Sequence, residues 1–197
     1  MNTIIKESLK KSTSYETYRK QVSDLLADGK STGPNQSDAL LNYSLLNDKR
    51  MSRLDKKTKL SEATVDVLKK TKEKQTWLLI TEGWCGDAAQ IAPVINKMSL
   101  ATDKVDLKVV LRDENEDLMN QFLTNGSKSI PKLVVLNEQD EVISSWGPRP
   151  SIATKMVIDY KEKHGGLDAD FKRDLQVWYN KNKGENIQED MLAFLEK

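Results

Sequence analysis

The chain has 197 residues, of which 38% are hydrophobic and 31% charged, a balance that suits one folded domain with extensions or two small domains. Its formal net charge of +1 gives no strong global attraction to nucleic acid or to a membrane surface, and no apolar run approaches the length of a membrane span. The single cysteine excludes an intrachain disulfide, and the first residues lack a signal-peptide pattern, so we expect a cytoplasmic protein.

Positive charge is concentrated in the first part of the chain. Residues 1–75 contain 16 Lys/Arg and 10 Asp/Glu, a net charge of +6, whereas residues 76–197 contain 15 and 20, a net charge of −5. A basic helical arm that meets a negatively charged partner would explain this asymmetry. An ordinary solvated helical surface is the preferred explanation, since charge runs usually face water.

The first 74 residues are predicted to be helical. Apolar residues recur at helical spacing from Ile4 to about Asp28, with a potential interruption at 12–14, where Ser14 can cap a helix. A Gly-Pro-containing linker over 29–36 separates this segment from a second helix that begins at Ser37. A third helix begins at Ser61 and ends near Lys74.

The pattern changes at Trp77, where a strand, a turn and a helix follow one another. Residues 77–81 form an unbroken apolar run, typical of a strand covered on both faces. Residues 88–100 are predicted to form a helix that contains Pro93. Cys85 lies in the turn between them, where the N–H groups and dipole of a helix N-terminus favour a thiolate. A small buried core residue is the alternative interpretation of this cysteine.

The remaining elements complete an α/β pattern. Strands are predicted over 105–111, 132–136 and 141–146, and helices over 116–123, 151–163, 168–182 and 187–195. The polar turn over 113–117 is a candidate for a divalent cation or for partner selection, although a solvated turn explains it as well. The only histidine, His164, is predicted to lie at a helix C-terminus rather than to act as a base for Cys85.

Two segments resemble the thioredoxin family. Trp84-Cys85-Gly86-Asp87-Ala88, with Ile91-Ala92-Pro93 behind it, is similar to the Trp-Cys-Gly-Pro-Cys segment of thioredoxins and the Ile-Ala-Pro that follows it. Ser129-Ile130-Pro131-Lys132 is similar to the family's Gly-Ile-Pro-Thr segment. The resemblance implies a thioredoxin-like α/β fold, a central mixed sheet flanked by helices, with Pro131 in the cis form against Cys85. We expect the core over 75–164, an N-terminal helical extension over 1–74 and a C-terminal helical extension over 165–197 packed on the core.

The departures from the family pattern limit the chemistry. Ala88 replaces the second cysteine, Asp87 replaces the proline, and Leu79 occupies the position of the family's buried acid. Without a second cysteine, attack by Cys85 on a disulfide would stop at a mixed disulfide until an external thiol released it. Asp87 would act either as a nearby base or as a like charge that raises the pKa of the cysteine.

Two functional hypotheses follow from the resemblance. The first is thiol–disulfide exchange in redox homeostasis through Cys85 as a low-pKa nucleophile, with Asp87 as proton acceptor and with Trp84, Gly86, Ile130 and Pro131 forming the substrate site. The partners would be protein or small-molecule thiols and disulfides, not nucleic acid or membrane; no metal or cofactor would be needed beyond an external thiol. The second is a redox-inactive binding module that uses the groove beside the proline. The sequence does not give the oligomeric state.

Overall fold

The computed structural model describes residues 2–195, within which five strands form one mixed sheet in the order β1-β3-β2-β4-β5. The strands are β1 Thr13–Ser14, β2 Gln75–Thr81, β3 Val105–Leu111, β4 Lys132–Leu136 and β5 Val142–Trp146. β2 pairs in parallel with β3, whereas the pairs β1–β3, β2–β4 and β4–β5 are antiparallel. The predicted mixed sheet flanked by helices is confirmed.

Helices surround the sheet on both faces. Over residues 2–195 they are α1 Asn2–Lys11, α2 Tyr15–Ala27, α3 Asp38–Lys57, α4 Glu62–Lys70, α5 Gly86–Ser99, α6 Glu116–Gln121, α7 Ser151–His164, α8 Ala169–Asn182 and α9 Glu185–Leu195. A short 3-10 helix, Arg112–Glu114, follows β3. None of the described helices is long and apolar enough to cross a membrane.

The N-terminal helical segment is interrupted at the position where the sequence indicated a potential break, residues 12–14. It consists of α1 and α2, and the two residues between them form β1, which pairs with Val109 and Lys108 of β3. Ser14 ends this strand and caps α2, because its Oγ accepts a hydrogen bond from the Thr17 N–H at 3.1 Å. The break therefore adds an edge strand to the sheet and anchors the N-terminal helices to it.

β2 is the centre of the fold. Trp77, Leu78, Leu79 and Ile80 are all fully buried, since helices cover both faces of the strand. Their side chains alternate between two apolar clusters on opposite faces of the sheet. This buried strand is a rigid support for the turn that follows it, which carries Cys85 at the end of the sheet.

The last two helices pack across the first part of the chain. Arg53 of α3 donates to the Asn180 side chain of α8 at 2.6 Å, and Gln188 of α9 donates to the Lys59 carbonyl at 3.2 Å. α8 and α9 are therefore attached to α3 and to the segment that follows it. The proposed boundaries at residues 74 and 164 stay a prediction.

Candidate active site around Cys85

The turn after β2 places Cys85 at the start of α5, as the sequence predicts. The Cys85 N–H donates to the Glu82 carbonyl at 3.2 Å and closes the turn. Cys85 is the N-cap of α5, and its Sγ accepts a hydrogen bond from the Ala88 N–H at 3.5 Å. A sulfur at this position receives the N–H groups and the positive dipole end of the helix.

The segment before β4 lies directly against this sulfur. The Cys85 thiol donates to the Ile130 carbonyl, with 3.4 Å between the sulfur and the oxygen. The following peptide bond, Ile130–Pro131, is cis, as the resemblance implies. Residues 45 positions apart in sequence are thus brought together at one edge of the sheet.

The Cys85 thiol is more buried than is typical of a reactive cysteine. Cys85 is 8% exposed and belongs to an apolar cluster with Ala88 and Ile130. Burial, with a further contribution from the negative charge of Asp87, raises the pKa of Cys85 to about 12, although the helix N–H groups act in the opposite direction. Desolvation thus acts against the low-pKa thiolate expected from the sequence and outweighs the helix N-terminus, and a reactive thiolate stays a prediction.

Asp87 is buried beside the thiol in an ion pair. Its carboxylate lies 2.7 Å from Nη2 of Arg149 and accepts a hydrogen bond from the Tyr179 hydroxyl at 3.0 Å. Burial raises the pKa of Asp87, while Arg149 and Tyr179 oppose that shift. Of the two roles considered for Asp87, the resting geometry favours the like charge, because both of its named partners stabilise the carboxylate rather than a proton on it.

Gly147 allows the chain to bring Arg149 close to Asp87. Gly147 has a φ of +113°, and a Cβ at this position would lie only 2.4 Å from the Pro131 carbonyl oxygen. Only a residue without a side chain fits between β5 and Pro131 at that distance. The chain then passes through a second cis bond, Gly147–Pro148, and reaches Arg149 beside Asp87.

Trp84 borders the site but is partly covered. It is half-buried, and the Arg112 guanidinium lies 4.7 Å from the centre of its ring. Arg112 is in turn paired with Asp113 at 2.7 Å. A partner that docks on Trp84 therefore meets a ring with one face occupied by a cation.

Glu82 is a site residue that the sequence analysis missed. It is fully buried three residues before Cys85, and its carboxylate accepts hydrogen bonds from the Thr32 hydroxyl and from the Asp113 N–H, the latter at 3.0 Å. Burial raises its pKa to about 6. The sequence signal was a carboxylate immediately after an apolar strand, whereas the family pattern directed attention to Leu79, which lies in the core.

Gly86 is overlaid by side chains from both helical extensions. The Gln176 side chain of α8 donates to the Gly86 carbonyl at 3.3 Å. A Cβ on Gly86 would lie 3.2 Å from Nε2 of Gln176 and 4.0 Å from Nη1 of Arg50. These contacts place donors from α3 and α8 over the residue that follows the cysteine, and the sequence alone gave no indication of either.

Two other candidates lie outside this cluster. His164 ends α7 and stacks on Tyr160 with 4.1 Å between ring centres, in agreement with the predicted helix C-terminus. The acidic turn over 113–117 lines a groove of about 420 Å³ against α1. Within residues 2–195, no group of three His, Cys, Asp or Glu side chains is placed to hold a metal ion.

Comparison with known proteins gives a family and a fold. The family model described as Thioredoxin matches residues 33–161, a region that includes α3, α4 and all but the last three residues of the predicted core. No curated protein matches the sequence significantly.

Two solved structures share the fold over almost their whole length. One is a protein of unknown function from Pseudomonas aeruginosa, with a TM-score of 0.58 and 18% identity over 93% of this chain and 98% of that chain. The other is an HIV epitope-scaffold, with a TM-score of 0.57 and the same identity and coverage. At this identity the likeness concerns the fold alone.

Proposed function

The chain belongs to the thioredoxin family, and we propose that it carries out thiol–disulfide exchange through Cys85 as a single nucleophilic cysteine. The observation that carries the proposal is the position of the sulfur. It lies at the N-terminus of α5, within 3.5 Å of the Ala88 N–H and 3.4 Å of the carbonyl that precedes the cis proline. A helix N-terminus stabilises the thiolate that attacks a disulfide.

The reaction proceeds in two exchanges. The Cys85 thiol first loses its proton, and the thiolate attacks one sulfur of a substrate disulfide. A bond forms between the two sulfurs, the substrate S–S bond breaks, and the other half leaves as a thiolate that takes up a proton. An external thiolate then attacks the mixed disulfide and releases Cys85. The net result is the transfer of one half of the substrate disulfide to the external thiol and the release of the other half as a thiol, without a second cysteine in the protein.

The other predicted site residues have distinct roles in this proposal. Trp84 forms the docking surface in front of Pro131, which is itself buried, and the Ile130 main chain pairs with an extended substrate. Gly86 leaves space beside the start of α5 that the Gln176 side chain occupies in the free protein, so the substrate approaches there when Gln176 moves aside. Asp87 sets the charge beside the sulfur and is the proton acceptor if Arg149 is displaced from it.

The raised pKa of Cys85 makes the exchange slow at neutral pH. With a pKa of about 12, only about one molecule in 10⁵ carries a thiolate at pH 7, against a few per cent for a free thiol of pKa about 8.5. We therefore propose that Cys85 is latent in the free protein. Its reactivity rises with pH or when a bound substrate changes the surroundings of the sulfur.

Mixed-disulfide formation tests this function directly. The folded protein is incubated with glutathione disulfide at pH 9, and the adduct on Cys85 is measured by intact mass, with Cys85→Ser as control. We expect an adduct on the native protein and its removal by an external thiol. An adduct that forms only in urea would contradict the proposal.

A redox-inactive binding module is the second candidate, and the enclosure of the thiol favours it. Cys85 is buried, its pKa is raised, and Gln176 lies across the neighbouring Gly86. In that case the groove beside Pro131 would bind a partner without covalent chemistry. The glutathione experiment separates the two functions, because only the exchange proposal requires the native thiol to react.

A further inference from the structure

In the part of the chain that the structure describes, Arg50 lacks the carboxylate partner that most of the arginines have. Arg19, Arg112, Arg149 and Arg173 each lie within 3.4 Å of an Asp side chain. Within residues 2–195, no Asp or Glu oxygen lies within 4 Å of a side-chain nitrogen of Arg50. Arg50 is half-buried, so its charge is partly removed from water without compensation from an anion of the protein.

A fixed chain of hydrogen bonds holds Arg50 beside the active-site turn. Its Nη1 donates to Oδ1 of Asn47 at 2.7 Å, and Nδ2 of Asn47 donates to the Gly83 carbonyl at 2.9 Å. Asn47 is fully buried, so this relay is part of the packed structure. The guanidinium is therefore positioned relative to the turn that carries Cys85.

Distances from Gly86 give the position of the Arg50 guanidinium. A Cβ on Gly86 would lie 4.0 Å from Nη1 of Arg50 and 3.2 Å from Nε2 of Gln176. The positive charge is thus close to the residue that follows Cys85, on the side that a Gly86 side chain would occupy. Burial and the neighbouring charge of Arg53 both lower the pKa of Arg50, and a bound anion would relieve both effects.

We propose that Arg50 binds a carboxylate of the disulfide that reacts with Cys85, so that the site selects low-molecular-weight disulfides with carboxylates close to their sulfur atoms. A guanidinium binds a carboxylate through charge-assisted hydrogen bonds, which are about twice as strong as neutral ones. The proposal rests on the exchange function of Cys85 and names its substrate class. It assigns substrate selection to α3, outside the segment that carries the cysteine.

Three disulfides with two-carbon arms test the selection. They are 3,3′-dithiodipropionate, which is anionic, bis(2-hydroxyethyl) disulfide, which is neutral, and cystamine, which is cationic. The rate of adduct formation on Cys85 is measured at pH 9 for the native protein and for Arg50→Gln. We expect the substitution to lower the ratio of the anionic to the neutral rate by at least about tenfold, because each charge-assisted hydrogen bond contributes about ten- to a hundredfold.

Matched variants separate recognition from folding. Lys49→Gln removes the same charge from the adjacent, exposed position of α3, and its rate ratio should change less than about twofold. Arg50→Lys keeps the charge and should retain part of the preference. An anionic-to-neutral ratio that is the same in the native protein and in Arg50→Gln would overturn the proposal. Failure of all three disulfides to react with the native protein would instead overturn the exchange function itself.

Discussion

Two buried carboxylates flank Cys85, and they are stabilised in different ways. Asp87, two residues after the cysteine, forms an ion pair with Arg149 at 2.7 Å and accepts a hydrogen bond from Tyr179. Glu82, three residues before it, accepts hydrogen bonds from the neutral Thr32 hydroxyl and Asp113 N–H, while the nearby Arg112 pairs with Asp113 instead. Burial raises both pKa values, but only Asp87 has a direct cationic partner to keep it ionised.

This difference indicates that the two carboxylates have different roles around the sulfur. Burial raises the pKa of Cys85 most, and the negative charge of Asp87 adds to that effect, so this carboxylate lowers the reactivity of the thiol. Glu82 attaches residue 32 of the linker to the active-site turn, because Thr32 also accepts a hydrogen bond from the Gly83 N–H at 2.8 Å. Asp87 therefore affects the chemistry of Cys85, whereas Glu82 stabilises the turn that carries it.

Removal of the charge at Asp87 should have the largest effect. In Asp87→Asn the thiolate loses a neighbouring negative charge and gains the unpaired Arg149, so the pKa of Cys85 should fall by at least about one unit. We expect alkylation by iodoacetamide at pH 8 to accelerate about tenfold or more. Thermal unfolding and circular dichroism establish that the variant is folded, since removing one partner of a buried ion pair costs about 3–5 kcal/mol. An unchanged rate in a folded variant would contradict the role of Asp87.

Glu82→Gln should change how stability depends on pH. The pKa of Glu82 is raised to about 6 from 4.5, so the folded state favours the protonated acid. Stability from this group is present below pH 4.5 and is lost as pH rises to about 6, a loss of up to about 2 kcal/mol. Urea unfolding between pH 4 and pH 8 measures it. The free energy of unfolding of Glu82→Gln should not show this decline with pH. If free energy against pH followed parallel curves in the two proteins, the raised pKa of Glu82 would be refuted.

Tyr179→Phe should have the smallest effect of the three. The substitution removes one hydrogen bond to Asp87 but leaves the charge and Arg149 in place, so it should lower the free energy of unfolding by about 1 kcal/mol. The alkylation rate of Cys85 should change far less than in Asp87→Asn. An equal acceleration in both variants would show that packing, rather than charge, restrains the thiol.

The local part of the site was predictable, and the distant part was not. A strand, a turn and a helix start are encoded by adjacent residues, which placed Cys85 correctly at the N-cap of α5. The resemblance then added Ile130 and the cis Pro131. Tyr179, in contrast, reaches Asp87 across 92 positions of sequence, and no local pattern indicates such a contact.

The direction of the pKa shift of Cys85 also could not be predicted from the sequence. The helix N-terminus, which lowers the pKa of a thiol, can be inferred from neighbouring residues. The enclosure that raises it depends on Ile130 and on the other members of the apolar cluster, which lie far apart in the chain. The edge strand Thr13–Ser14 escaped prediction for a similar reason, because two residues carry no periodicity and form a strand only through pairing with β3.

The pH dependence of alkylation of the native protein tests the central claim, that Cys85 is a latent nucleophile, most directly. The whole reaction reports on this residue, since it is the single cysteine of the chain. The rate constant with iodoacetamide should rise about tenfold per pH unit without a plateau up to at least pH 10, as expected for a raised pKa. A plateau below pH 8.5 would reveal a stabilised thiolate in the resting protein and contradict the account.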